Sequence, residues 1–293
     1  MSHKVAIGTV QFGLQYGIAN ARGKVPTSEV REILACGRRY GLDTLDTAIA
    51  YGDSESSLGA AGVDDWQVVT KLPALPANTT DVAGWVESEV HGSLNRLRLP
   101  RLSTVLLHRS ADVIGPQAVD YQRALDHIKQ TGLCQAVGVS IYAPNELDAI
   151  WQHPTGWKPD LVQAPFNVLD RRLQSSGWMQ KLQQSGVRLH TRSAFLQGLL
   201  LMPAERRPAW FAPWKPLLDD WQAWCAEQQV SPLQAAIQFA CGQHEVECVV
   251  FGVDTTFQLQ EILNCMLAPT PLVPTELCSD DINLVDPSRW KLS

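Results

Sequence analysis

Residues 248–263 read CVVFGVDTTFQLQEIL. The first six, Cys248–Val253, form an apolar run with no polar residue alternating through it. A strand with one wet face alternates in character. A strand that is apolar throughout is covered on both faces, as in parallel sheets layered against helices. Asp254 or Thr255 can cap the helix that follows, read here as Thr255–Leu263. The stretch is therefore one strand–helix unit of a parallel sheet.

Working outward, the same unit recurs. Strands are expected at Val5–Val10, Thr44–Ala48, Gln67–Leu72, Thr104–His108, Ala136–Ile141, Leu161–Pro165, Val187–Ser193 and Cys248–Val253. Helix-like stretches lie between them. Thr27–Tyr40 opens TSEVREIL, where Thr27 or Ser28 can cap and acidic residues occupy the first turn. Thr79–Leu97 places Val82, Val86, Val90, Leu94 and Leu97 on one helical face. Pro232–Cys241 follows Ser231, a cap with proline at the first helical position. Eight such units with no internal linker predict an α/β fold, a single (β/α)8 TIM barrel. The barrel is expected over about residues 5–267, with an irregular tail at 268–293 and one domain over 1–293. An open doubly wound sheet is the competitor. It advertises a glycine-rich phosphate loop after its first strand, and GTVQFGLQYG (8–17) is neither G-x-G-x-x-G nor a Walker loop.

Composition agrees with a folded protein and narrows its partners. The chain has 293 residues, long enough for two domains by size alone, and 45% are hydrophobic. A net charge of −6 with no basic run argues against nucleic acid. Seven cysteines, odd in number and without a C-x-x-C, read as reduced thiols of a reducing compartment. No apolar run reaches 18 residues, and MSHKVAIGTVQFG lacks the apolar stretch of a signal peptide, so a cytoplasmic chain is expected. The histidines show no H-x-x-x-H or Cys/His cluster, so no metal site is expected. No G-x-S-x-G elbow supports a serine hydrolase.

In a βα barrel the reactive groups belong at the C-terminal ends of the strands. Asp46, Lys71 and His108 fall at such ends, and Tyr51 lies just past the second strand. Each has a plainer reading: a helix cap, a solvated strand end, a hydrogen-bonded core residue and a packing aromatic. Together, on one rim, they form a candidate catalytic group.

The stretch GLDTLDTAIAYGDSESSLG (41–59) resembles the signature of the aldo-keto reductase family, Asp-Thr-Ala-x-x-Tyr-Gly followed by Ser-Glu-x-x-Leu-Gly. The resemblance continues in TKL around Lys71, LLHR around His108 and GVSIY at 138–142. It runs on through QAPFNVLDRR at 163–172, RSAFLQGLLL at 192–201 and the stretch from Phe251 to Leu263. It implies a bacterial reductase that reduces an aldehyde or ketone with hydride from a nicotinamide dinucleotide. NADPH is implied by family habit, with NADH as the alternative. Tyr51 is then the proton donor, Lys71 lowers its pKa, Asp46 holds Lys71, and His108 steers the carbonyl oxygen. Tyr51 and His108 also face the substrate, a small carbonyl compound. On the same resemblance Gly8, Thr9, Val10, Asp46, Ser140, Gln163, Arg192, Ser193, Gly252, Thr255, Thr256, Gln258 and Glu261 are cofactor-binding candidates.

Four positions depart from the family pattern. Ile141 replaces the usual Asn, and Arg192 replaces the aromatic that stacks on the nicotinamide. Gly252 and Gln258 stand where many relatives place a Lys and an Arg for the 2′-phosphate. The hairpin that plugs the barrel bottom in many relatives is expected to be missing, because the first strand starts at Val5. Plainer readings stay open: a strand-end hydroxyl for Ser140, a barrel-layer hydrogen bond for Gln163, helix capping for residues 252–261. The segment Pro203–Gln229 carries Trp210, Trp214, Trp221 and Trp224. It reads either as packing or, through Trp210 and Trp214, as an aromatic wall for substrate. Two other readings of the whole chain are a cofactor-binding regulatory subunit with little turnover and a Schiff-base enzyme using Lys71. Membrane and nucleic acid are not expected partners.

Overall fold

The computed structural model describes residues 4–18, 20, 22–267 and 271–292. Eight strands alternate with helices: β1 (Val5–Gly8), β2 (Thr44–Asp46), β3 (Gln67–Leu72), β4 (Leu102–Leu107), β5 (Cys134–Ser140), β6 (Leu161–Pro165), β7 (Arg188–Arg192) and β8 (Cys248–Gly252). Each pairs in parallel with the next, and β8 closes on β1 with Val5 opposite Val249 and Gly8 opposite Gly252. This is the (β/α)8 barrel that the repeating units predict. The apolar run in β8 shows the reason. Val249 and Phe251 join the large core shared with the helices, while Cys248 and Val250 form a separate small group with Ala6. Alternate residues of one strand therefore serve two different apolar layers, and neither face meets water.

Element ends differ from the sequence reading by a few residues. β1 stops at Gly8 because Val10–Gly13 coils into a helical turn, and β2 stops at Asp46. β4 and β5 start earlier than expected because Leu102 already pairs with Cys134. β7 ends before Ser193, whose φ of 64° leaves the strand region. The second long helix spans Val82–Leu97, not Thr79–Leu97, because the Asp81 carboxylate accepts from Gly84 N at 2.9 Å and sets the start. Its five predicted core residues are all buried. The helix Thr27–Arg39 begins after Pro26 with no side-chain cap, so neither Thr27 nor Ser28 plays the capping part expected of it. Helix Pro232–Cys241 has the expected bounds and its Ser231 cap.

The tail is less irregular than its sequence suggests. Leu277, Leu284 and Val285 are buried with Phe211, Leu218 and Trp221 in a second apolar cluster beside the barrel. Ala268 to Thr270 and Ser293 of the tail lie outside the described residues, as do residues 1–3, where the expected absence of a plug hairpin falls. No helix of the described residues is long and apolar enough to cross a membrane. Among the described residues no disulfide joins any of the seven cysteines.

The Ser-Glu-x-x-Leu-Gly block is explained by packing. Ser54 opens the helix Ser54–Ala61 and donates to Thr9 O at 2.8 Å. The Glu55 carboxylate, 1% exposed, accepts from Thr70 Oγ1 at 2.6 Å and Arg96 Nε at 2.7 Å. Leu58 is buried, and a Cβ on Gly59 would collide with Arg96 O. Glu55 thus ties the segment after Tyr51 to β3 and to the helix Val82–Leu97. Removing one partner strands a buried charge. We expect Arg96→Ala to cost about 2–3 kcal/mol in urea unfolding, below the ceiling for a fully buried pair because Arg96 is partly exposed. Arg96→Lys should recover part of it.

Candidate active site

The C-terminal rim of the barrel opens into a cavity of about 510 Å³. Asp46 ends β2, Lys71 lies near the end of β3, and His108 follows β4 directly. Tyr51 sits in the turn after β2. That turn is held by Tyr51 N donating to Ala48 O at 3.0 Å and Ser54 N donating to Tyr51 O at 3.1 Å. A Cβ on Gly13 would collide with Tyr51 O, so a glycine there lets the first loop press against this turn.

Lys71 is no solvated strand end. It is 1% exposed, and its Nζ donates to both Asp46 carboxylate oxygens at 2.8 and 2.7 Å and to Thr47 O at 2.9 Å. Gln163 Nε2 donates to Asp46 Oδ1 at 2.6 Å, so Asp46 serves an ion pair and not a helix cap. Above the pair, Lys71 Nζ lies 5.1 Å from the centroid of the Tyr51 ring, and Tyr51 meets His108 edge to face at 5.8 Å. The four candidate catalytic residues therefore come together. Tyr51, His108 and Asp46 line the cavity, and Lys71 stands behind them.

The electrostatics correct one expectation. Burial, then the Asp46 carboxylate, push the Tyr51 phenol above its ordinary range, against an opposing pull from Arg192. The net direction is thus upward although the Lys71 ammonium lies close by, because burial and the Asp46 carboxylate prevail. Burial also pulls the Lys71 ammonium down, and Asp46 opposes that shift. Burial, then the charges of Lys71 and Arg192, bring the His108 imidazole down to about 4. His108 is therefore neutral at pH 7. Its folded pKa lies below the ordinary 6.5, so the unfolded chain binds the proton first as pH falls. Stability should then fall from pH 6.5 towards 4, by roughly 3 kcal/mol through this residue. Unfolding measured across that range should show a shallower slope in His108→Gln.

Gly8, Thr9, Val10, Ser140, Gln163, Arg192, Ser193, Gly252, Gln258 and Glu261 all line the cavity. Thr9 Oγ1 donates to Asp46 O at 2.9 Å, binding the β1 end to the β2 end. Arg192 is anchored by Ile141 O at 3.0 Å and lies over the Tyr142 ring at 4.5 Å. Thr255 and Thr256 are not among the residues that line the cavity. Thr255 Oγ1 caps the helix Thr256–Cys265 by accepting from Gln258 N at 3.2 Å. Thr256 N and Oγ1 both donate to Glu29 Oε1, at 2.6 and 3.0 Å. For Thr255 the capping reading is the one the geometry supports. Trp210 and Trp214 also lie outside the cavity lining. They pack with the tail cluster, donating to Asn283 O at 3.4 Å and Asp281 Oδ2 at 3.0 Å. Of the two readings of these tryptophans, packing is the one these contacts supply.

Sequence reasoning missed Gln11, Tyr16, Asn20, Tyr142 and Gln197 in the lining. The loop after β1 reaches the other side of the mouth at two points. Gln197 Nε2 donates to Tyr16 Oη at 3.2 Å, and Asn20 Nδ2 approaches Asp254 Oδ1 at 3.5 Å. The signal was the aperiodic GLQYG after the first strand, a long polar loop where a helix would be ordinary. After β7, Ser193, Leu196 and Gln197 hold left-handed φ of 64°, 48° and 53°. Each costs about 1–2 kcal/mol, and such strain clusters where geometry serves a ligand.

Comparison with known proteins gives these features a context. The model of the aldo/keto reductase family matches residues 4–276. L-glyceraldehyde 3-phosphate reductase of Escherichia coli (strain K12) is 29% identical over 187 residues, 63% of this chain and 49% of that protein. The chain spans about half the length of the curated relatives it matches. An aldo-keto reductase from Bacillus halodurans in its holo form superposes with a TM-score of 0.74 at 18% identity, covering 98% of this chain and 95% of that one. A glycerol dehydrogenase from Gluconobacter oxydans gives 0.69 at 19% identity, covering 92% and 88%. At these identities the structural likeness shows the fold.

Proposed function

The chain belongs to the aldo/keto reductase family, and from that premise we propose that it reduces an aldehyde or ketone to an alcohol with a nicotinamide dinucleotide, Tyr51 giving the proton. The observation that carries the reading is the buried Asp46–Lys71 pair beneath Tyr51 and His108 at one cavity mouth.

The residues at the mouth suit such a cofactor. Asp46 only accepts, so the Gln163 amide nitrogen must face it, which leaves Gln163 Oε1 buried without a partner. That oxygen is ready to accept from a bound carboxamide N–H, with the Ser140 hydroxyl beside it in the lining. The Arg192 guanidinium, fixed by Ile141 O and Tyr142, offers a flat face to a planar ring. When bound, the nicotinamide supplies the hydride.

The chain's own residues handle charge and proton. Neutral His108 can donate a ring N–H to the carbonyl oxygen as negative charge grows there. Tyr51 keeps its proton through the neutral range because its pKa is raised, yet an alkoxide is the stronger base, so transfer from Tyr51 Oη runs downhill. The phenolate that remains faces the cations of Lys71 and Arg192. Asp46 keeps Lys71 in place. Use of Lys71 as a Schiff-base amine is disfavoured, because all three of its N–H groups are already donated inside the protein.

The test is a panel of aldehydes and ketones with NADH and with NADPH, followed at the nicotinamide absorbance. It should include L-glyceraldehyde 3-phosphate, the compound named in the curated relative. Turnover of at least one carbonyl is expected. Tight cofactor binding with no turnover across the panel would favour a regulatory subunit instead.

A further inference from the structure

We infer that the cavity end formed after β8 takes the free ribose hydroxyls of NADH and rejects the 2′-phosphate of NADPH, with Asp254 as the discriminating residue. The inference rests on the proposed function. If the nicotinamide lies beside Tyr51 and Gln163, the rest of the dinucleotide must extend along the cavity towards Gly252, Asp254, Gln258 and Glu261.

Charge is the first observation. Asp254 and Glu261 put two carboxylates into that end of the lining. Among the described residues lining the cavity, Arg192 is the one cation, and it stands at the end of β7 against Tyr142 and Ile141. A phosphate monoester carrying about −1.5 to −2 charges is repelled by nearby carboxylates. A ribose hydroxyl meeting a carboxylate instead gains a charge-assisted hydrogen bond.

The backbone is the second observation. A loop leading into a helix can hold a phosphate with its amides alone, needing no side-chain cation. Here three of those amides are engaged within the chain. Asp254 N donates to Gln258 Oε1 at 2.7 Å, Thr256 N to Glu29 Oε1 at 2.6 Å, and Gln258 N to Thr255 Oγ1 at 3.2 Å. The Glu29 carboxylate thus occupies the position an anion would seek. Across the cleft, Asn20 Nδ2 approaches Asp254 Oδ1 and also donates to Gly23 O, holding Asp254 towards the mouth. The exposed Arg22 is the nearby cation whose field reaches Asp254, and it is the group that would oppose the inference.

The experiment titrates the intrinsic tryptophan fluorescence of the full chain with NADH and with NADPH, and repeats it for Asp254→Ser and Arg22→Gln. The expected Kd for NADPH is at least about tenfold above that for NADH. Asp254→Ser should shrink the ratio from both sides, weakening NADH and strengthening NADPH. Arg22→Gln should leave the preference for NADH in place. Equal or tighter binding of NADPH by the wild type overturns the inference while leaving the reductase reading intact. So does a ratio unmoved by Asp254→Ser, or NADPH binding that depends on Arg22. If neither nucleotide binds and no carbonyl is reduced, the reductase reading falls and this inference falls with it.

Discussion

Tyr51→Phe is expected to lower carbonyl turnover at least about a hundredfold, the lower end of what a positioned proton donor supplies and equivalent to roughly 3 kcal/mol in the barrier. The substitution removes only the hydroxyl. The ring keeps its edge contact with His108 and its place over Lys71. The carboxamide acceptor Gln163 Oε1 belongs to β6 and does not depend on the phenol. Cofactor affinity measured by tryptophan fluorescence should therefore stay within about twofold, so the loss falls on kcat. Turnover equal to wild type would remove Tyr51 as the acid.

The second large effect concerns stability. Lys71→Met should cost about 3–5 kcal/mol, because it leaves the Asp46 carboxylate buried with its two short bonds to Nζ gone. Gln163 alone would then face that charge. The double variant Asp46→Asn/Lys71→Met should recover much of the loss, since removing both charges avoids an unpaired ion. Urea unfolding of the wild type, the two single variants and the double variant gives the coupling directly. If Lys71→Met unfolds at the wild-type midpoint, the pair does not contribute as a buried ion pair. Activity should be low in all three variants, which separates the stability effect from catalysis.

The barrel was legible because β8 is apolar throughout and several of its counterparts carry continuous apolar runs, a pattern that a two-sided environment tolerates. Strand ends were harder to read. They are decided by events outside the strand, such as the helical turn at Val10–Gly13 or the left-handed Ser193. Asp46, Tyr51, Lys71 and His108 were readable because a parallel barrel places strand ends on one rim. The direction of the Tyr51 shift was not readable, because it depends on burial and on where the Asp46 carboxylate lies. Trp210 and Trp214 allowed two readings for a related reason. Aromatic residues suit a ligand wall and a packed cluster equally, and their partners on the tail are about 70 residues away in sequence. Gln11 lies in the single helical turn Val10–Gly13 and Asn20 on the loop beyond it, where no periodicity gives a side chain its direction.

The most direct measurement of the central claim uses NADH deuterated at the transferring carbon of the nicotinamide, with an aldehyde that the protein turns over. Mass spectrometry of the alcohol should find one deuterium on the former carbonyl carbon, and borohydride should trap no adduct on Lys71. An alcohol without deuterium, or a trapped Lys71 adduct, would contradict direct hydride transfer and the role of Tyr51 built on it.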